Sequence, residues 1–105
     1  MLRLEQRSNS YPSTKSAEQV IRMNVLYFAW LRQKAGVSEE KIEPPADVST
    51  VADLLAWLKD RSAGHADALA DLSLVRVAVD QEYVKLDHSI EGAREVALFP
   101  PVTGG

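Results

Sequence analysis

The chain has 105 residues, 46% of them apolar and 26% charged, with a formal net charge of −3. That is one domain's worth of protein, too apolar to be wholly disordered, and no apolar run approaches the ~18 residues of a membrane span. There is no cysteine and there are only two histidines, His65 and His88. Disulfides, thiolate metal sites and cysteine nucleophiles are therefore excluded, and the negative balance does not favour a nucleic-acid partner.

The charge divides unevenly. Residues 1–22 hold four basic groups and two acidic ones, whereas residues 23–105 hold eight basic and thirteen acidic groups. The first segment is rich in Ser, Asn, Gln and Arg and lacks the apolar stretch of a secretory signal. It reads as a disordered leader, a vector remnant or an upstream start, with no function of its own. A strand pattern begins at once at Met23, so the domain is expected over 23–105. A chain of that size buries about 60–65% of its unfolded surface and has little room for a deep pocket.

In chain order, the β-branched, aromatic and apolar run Val25-Leu26-Tyr27-Phe28-Ala29-Trp30 predicts a strand over 23–30. Gly36 breaks the following segment. Glu40-Lys41-Ile42-Glu43, ahead of Pro44-Pro45, predicts a second strand at a sheet edge, paired with the first as a hairpin. Ser49 or Thr50 is a good N-cap, with Asp53 near the capping-box position. Val51, Leu54, Leu55 and Leu58 then fall at i, i+3, i+4 and i+7, one helical face. Gly64 is expected to stop this helix, and Ala66–Leu72 to form a short helical turn. His65 and His88 are expected in turns or at the surface. Leu74–Val79 predicts a strand, Asp80-Gln81-Glu82 a turn, Tyr83-Val84 a returning strand and Glu95–Phe99 the last strand. The order β-β-α-β-β-β predicts an α+β domain, a mixed sheet of about five strands packed on one main helix.

One helix covers one sheet face. In the first strand Val25, Tyr27 and Ala29 share a side, and Leu26, Phe28 and Trp30 share the other. With the valines on the helix side, Phe28 and Phe99 fall on the uncovered face. They form a protein-binding patch there unless loops fold over them.

The chain ends Leu98-Phe99-Pro100-Pro101-Val102-Thr103-Gly104-Gly105. The prolines cannot donate to a ladder, and they push Phe99 and Pro100 to extended backbone, so the sheet should stop at Phe99. Residues 100–105 are expected to form a flexible tail. Six residues at ~3.3 Å each reach roughly 20 Å. Gly104 and Gly105 lack Cβ atoms and can thread a narrow channel. The reactive group there is the Gly105 carboxylate. It becomes an acyl donor once ATP converts it to an acyl-adenylate, and sulfur, amine or thiol nucleophiles can then displace AMP.

The run Val25-Leu26-Tyr27-Phe28-Ala29 followed by Arg32 and Gly36, the run Thr50-Val51-Ala52-Asp53-Leu54, Val79-Asp80-Gln81, and above all Glu95–Gly105 carry a family resemblance. Over Met23–Gly105 the chain resembles the small, sulfur-carrying subunits of molybdopterin synthase, which are ubiquitin-like β-grasp proteins. The resemblance implies that Gly105 is adenylated, converted to a thiocarboxylate, and inserted with Gly104 into a large subunit. Sulfur would pass there to cyclic pyranopterin monophosphate in molybdenum cofactor biosynthesis. It implies a non-catalytic subunit of a sulfur-transferring synthase, a heterotetramer of two small and two large subunits, and a cytoplasmic location. No cofactor would be bound permanently, and ATP would be used by a separate adenylating enzyme. Phe28, Arg32, Tyr83, Phe99, Pro100, Pro101, Val102 and Thr103 would meet the partners. Tyr83 stands where an aliphatic residue is expected, and Arg94 replaces an acid in the turn Glu91-Gly92-Ala93-Arg94-Glu95. The same activated end suits a protein modifier conjugated through Gly105, or a thiazole-pathway sulfur carrier, against which the Pro-Pro-Val-Thr run argues. An interaction module with an inert tail is the remaining alternative.

Overall fold

The computed structural model describes residues 22–101. The segment 1–21 and the four C-terminal residues Val102, Thr103, Gly104 and Gly105 lie outside the described residues, and with them most of the expected leader, most of the expected flexible tail and the expected reactive carboxylate. In chain order the elements are β1 (Met23–Tyr27), α1 (Trp30–Ala35), β2 (Glu39–Ile42), α2 (Val51–Lys59), α3 (Ala63–Ala68), a 3-10 turn (Leu72–Leu74), β3 (Arg76–Val79), β4 (Glu82–Val84) and β5 (Glu95–Phe99).

The five strands form one mixed sheet in the order β2-β1-β5-β3-β4. β1 and β5 lie parallel at its centre, with Val25 opposite Val96 and Tyr27 opposite Leu98. The other pairings are antiparallel. This is the β-grasp arrangement expected from the sequence, and β2 is an edge strand as expected.

α2 is the main covering helix. Thr50 caps it in a reciprocal box: the Asp53 N–H donates to Thr50 Oγ1 at 3.1 Å, and the Thr50 N–H donates to Asp53 Oδ2 at 3.2 Å. Hydrogen bonds from the Ser49 and Thr50 backbone hold the Asp53 carboxyl below its ordinary pKa. Val51, Leu54, Leu55 and Leu58 are fully buried, so the expected helical stripe is the one that meets the sheet. Opposite it lie Val25, Tyr27, Val77, Val96 and Leu98, all buried. Alternation along each strand places these residues on one face.

Four local expectations are corrected. β1 ends at Tyr27 instead of residue 30, because Ala29 takes a positive φ of 56° and turns the chain out of the sheet. Trp30–Ala35 then forms α1, which buries Leu31 and Ala35 four positions apart and closes at Gly36 with φ 85°. The aromatic strand formers concealed this short helix. β1 and β2 still pair as a hairpin, but the connection carries a helix. Gly64 does not stop α2, which ends at Lys59. It lies inside α3, where a Cβ would run into the Lys34 carbonyl oxygen of α1. His65 is buried at 6% exposure, contrary to the surface expectation, because it has polar partners inside. His88 is exposed in a turn, as expected.

Candidate docking face and tail root

Alternation that buries Val25, Tyr27, Val96 and Leu98 sends Leu26, Phe28, Ala97 and Phe99 to the other side of the sheet. No described element covers this side. Register brings its aromatic groups together. Phe28 follows β1, and its N–H donates to the Leu98 carbonyl at 3.0 Å, which fixes it beside the end of β5. Tyr83 on β4 lies opposite Ala78 on β3, and Ala78 lies opposite Ala97 on β5. The rings of Phe28 and Phe99 meet edge to face at 6.1 Å between centroids, and those of Tyr83 and Phe99 at 5.3 Å. Such offset and edge contacts suit the ring quadrupoles.

Three of the expected partner-facing residues, Phe28, Tyr83 and Phe99, are thus one continuous aromatic stripe. Phe28 is 47% exposed and Tyr83 72%, so no loop folds over the stripe. Ala78 and Ala97 are its floor. Both are buried although they face away from the helices, and their small side chains leave room for the neighbouring rings. Their alternation with Val77, Val79, Val96 and Leu98 marks the face, but small residues give no chemical signal of their own.

Arg32 is exposed on α1 and makes no ring contact with the stripe among the described residues. β5 stops at Phe99, as the two prolines require, and Pro100 and Pro101 are half-buried as the chain leaves. The tail therefore starts from the strand that carries Phe99. Val102, Thr103, Gly104 and Gly105 lie outside the described residues.

The helix side holds a polar cluster that sequence pattern did not reveal. The Tyr27 hydroxyl donates to Glu40 Oε2 at 2.6 Å, His65 Nε2 lies 2.8 Å from the same oxygen, and Arg61 Nη2 donates to Glu40 Oε1 at 3.1 Å. Ser62 Oγ lies 2.7 Å from His65 Nδ1 and accepts the His65 backbone N–H at 3.1 Å. Burial, the largest influence, pushes the Glu40 carboxyl up, but the hydrogen bonds from Tyr27 and His65 and the charges of Arg61 and His65 together hold it below its ordinary 4.5. Burial first, then Glu40, pushes the Tyr27 phenol above its ordinary range.

Ser62, His65 and Glu40 follow one another in the order of a hydrolytic relay. The imidazole, however, is buried and the Ser62 hydroxyl caps α3. The cluster ties edge strand β2 to α3 and offers no access to a substrate. No group of metal-ligating side chains occurs among the described residues. Phe28, Tyr83 and Phe99 instead present an exposed apolar surface beside the end of β5.

The chain is similar to known proteins in sequence and in fold. The model of the ThiS family matches residues 25–105. The molybdopterin synthase sulfur carrier subunit of Escherichia coli is 41% identical over 83 residues, which cover 79% of this chain and 99% of that protein. The human protein of the same name is 32% identical over 87 residues, covering 80% and 94%. Among solved structures, the small archaeal modifier protein SAMP1 of Haloferax volcanii superposes with a TM-score of 0.59 at 28% identity, covering 80% of this chain and 99% of that one.

Proposed function

The chain belongs to the ThiS family, in the group of molybdopterin synthase sulfur carrier subunits, and from that membership we propose that it carries sulfur on Gly105 for molybdenum cofactor biosynthesis. The observation that carries the reading is the reach of the family match, which runs through Gly105 itself. Gly104 and Gly105 lie within the matched residues.

The Gly105 carboxylate attacks the α-phosphate of ATP in an adenylating enzyme, releasing pyrophosphate. A sulfur donor displaces AMP and leaves a thiocarboxylate. The tail enters the large synthase subunit, where the thiocarboxylate sulfur attacks a side-chain carbon of cyclic pyranopterin monophosphate and displaces the oxygen that carbon carries, forming an acyl thioester. Water then cleaves the acyl–sulfur bond, leaving sulfur on the pterin and returning Gly105 as a carboxylate. The chain needs no cysteine, because sulfur rides on the carbonyl carbon. It holds no cofactor of its own and works in the cytoplasm, in an assembly of two small and two large subunits.

Within this reading the aromatic stripe docks the large subunit, and Arg32 on α1 adds a further contact. Pro100 and Pro101 stiffen the exit of the chain, while Val102, Thr103 and Gly104 fill the channel that leads Gly105 to the reacting centre. Large exposed aromatic patches of this kind mark interaction sites, and Tyr and Phe are enriched where interfaces are desolvated.

The likeness to SAMP1 supports a second reading, conjugation of Gly105 to lysine amines, at lower identity. One experiment separates the two. The full chain and a form lacking Gly105 are assayed with the large subunit and the pterin precursor. Loss of sulfur transfer in the truncated form, with an unchanged melting temperature, is expected. Equal sulfur transfer by both forms overturns the reading, and lysine-linked ladders in place of a thiocarboxylate establish the second.

A further inference from the structure

By register the open face carries Glu39, Lys41, Glu95 and Arg76, and of these Arg76 is the cation next to the aromatic stripe. Arg76 opens β3 opposite Phe99. The next residue on that face, Ala78, lies opposite Tyr83, so Arg76 stands at the rim of the aromatic stripe, where the tail leaves the sheet. Its Nη1 donates to the Ser73 carbonyl at 3.1 Å and to the Val75 carbonyl at 3.2 Å. These acceptors are neutral. They hold the guanidinium in place without cancelling its charge. Like Arg32, Lys41, Lys59, Lys85 and Arg94, Arg76 makes no ion pair among the described residues, but its side chain is held by backbone carbonyls beside the aromatic stripe. A guanidinium carries five N–H donors in a planar fork, and the two bonds described use one nitrogen.

An exposed cation oriented in advance by backbone, beside an exposed aromatic patch, is prepared for a planar, bidentate acceptor. Six residues of sequence separate Phe99 from Gly105, a length of chain that can span up to roughly 20 Å, so a contact at Arg76 is distinct from the chemistry at the Gly105 carboxylate. Its counterpart belongs to the partner surface around the mouth of the channel. We infer that Arg76 is a specificity contact of the docking face and receives a carboxylate of the synthase large subunit beside Phe99. The identity of that partner rests on the sulfur-carrier reading. The exposed guanidinium and its position beside Phe99 do not.

The test measures association of the full chain with the large subunit at low and high ionic strength. The variants are Arg76→Gln, which keeps a donor for the Ser73 carbonyl and removes the charge, and Arg76→Glu. Melting temperatures are recorded alongside. Arg76→Gln should weaken binding about tenfold, Arg76→Glu should weaken it further, and both should slow association and flatten its salt dependence. Wild-type affinity in Arg76→Gln overturns the inference. So does weaker binding with unchanged salt dependence, which is a packing effect. A loss confined to the adenylation step also overturns it, since the counterpart would then be a nucleotide phosphate. If the unaltered chain itself fails to bind the large subunit, the sulfur-carrier reading fails, which is a distinct outcome.

Discussion

The two faces of one sheet solve opposite problems. On the helix side, Val25, Leu54, Leu55, Leu58, Val96 and Leu98 are fully buried, and apolar area removed from water holds the domain together. On the open side, Phe28 and Tyr83 remain 47% and 72% exposed over a floor of Ala78 and Ala97. The same alternation makes both faces, so each valine or leucine turned inward forces its neighbour outward. Stability and docking are thereby assigned to different residues of the same strands, and substitution should separate them.

The largest effect on folding is expected from Leu54→Ala, which opens a cavity where no water reaches. It should cost about 2–5 kcal/mol in denaturant unfolding, while the remaining folded fraction keeps its partner affinity. Loss of affinity without loss of stability would break the division between the faces. Gly64→Ala should cost about 1–3 kcal/mol, because the new methyl meets the Lys34 carbonyl and pries α3 from α1. Neutral stability there would show that the two helices are free to separate.

Glu40→Gln should cost a similar ~1–3 kcal/mol and should also alter the pH dependence. The carboxyl ionises more readily in the fold than in the open chain, where its value is about 4.5. Its contribution is therefore present above 4.5 and is lost as pH falls through the lower folded value. Acid titration of stability should be flatter in Glu40→Gln than in the unaltered chain, and identical curves would remove the cluster from the account. Phe99→Ala should cost only ~1 kcal/mol of stability, because the ring is half-buried, yet weaken large-subunit binding at least tenfold in calorimetric titration. Wild-type affinity would remove the docking role of the open face. The smallest change is expected from Gln81→Gly. Gln81 holds a φ of 75° in the β3–β4 turn, where glycine relieves strain, a gain of ~0.5–1 kcal/mol readable in thermal melts.

Much of this division was legible in the residues. The stripe Val51, Leu54, Leu55, Leu58 and the alternation in β1 and β5 are periodic signals, and they placed Phe28 and Phe99 on the uncovered face correctly. Thr50 and Asp53 declared the start of α2 through their spacing. What escaped depends on tertiary neighbours. Trp30 continues an aromatic run, and nothing local announces the positive φ of Ala29 that ends the strand. Gly64 follows a charged turn as a stop signal would, but it is small because α1 presses against it. His65 is buried through a carboxylate 25 residues away in sequence. Arg76 reads as an ordinary strand charge until register sets it beside Phe99.

Under the sulfur-carrier reading, the end of this chain is loaded with sulfur and unloaded by other proteins. Intact mass after incubation with ATP, a sulfide donor and the adenylating enzyme tests it most directly. The account predicts the gain of one oxygen-to-sulfur exchange, located at Gly105 and lost again when the large subunit and pterin precursor are added. An unchanged mass under conditions in which the enzyme charges another carrier would contradict it.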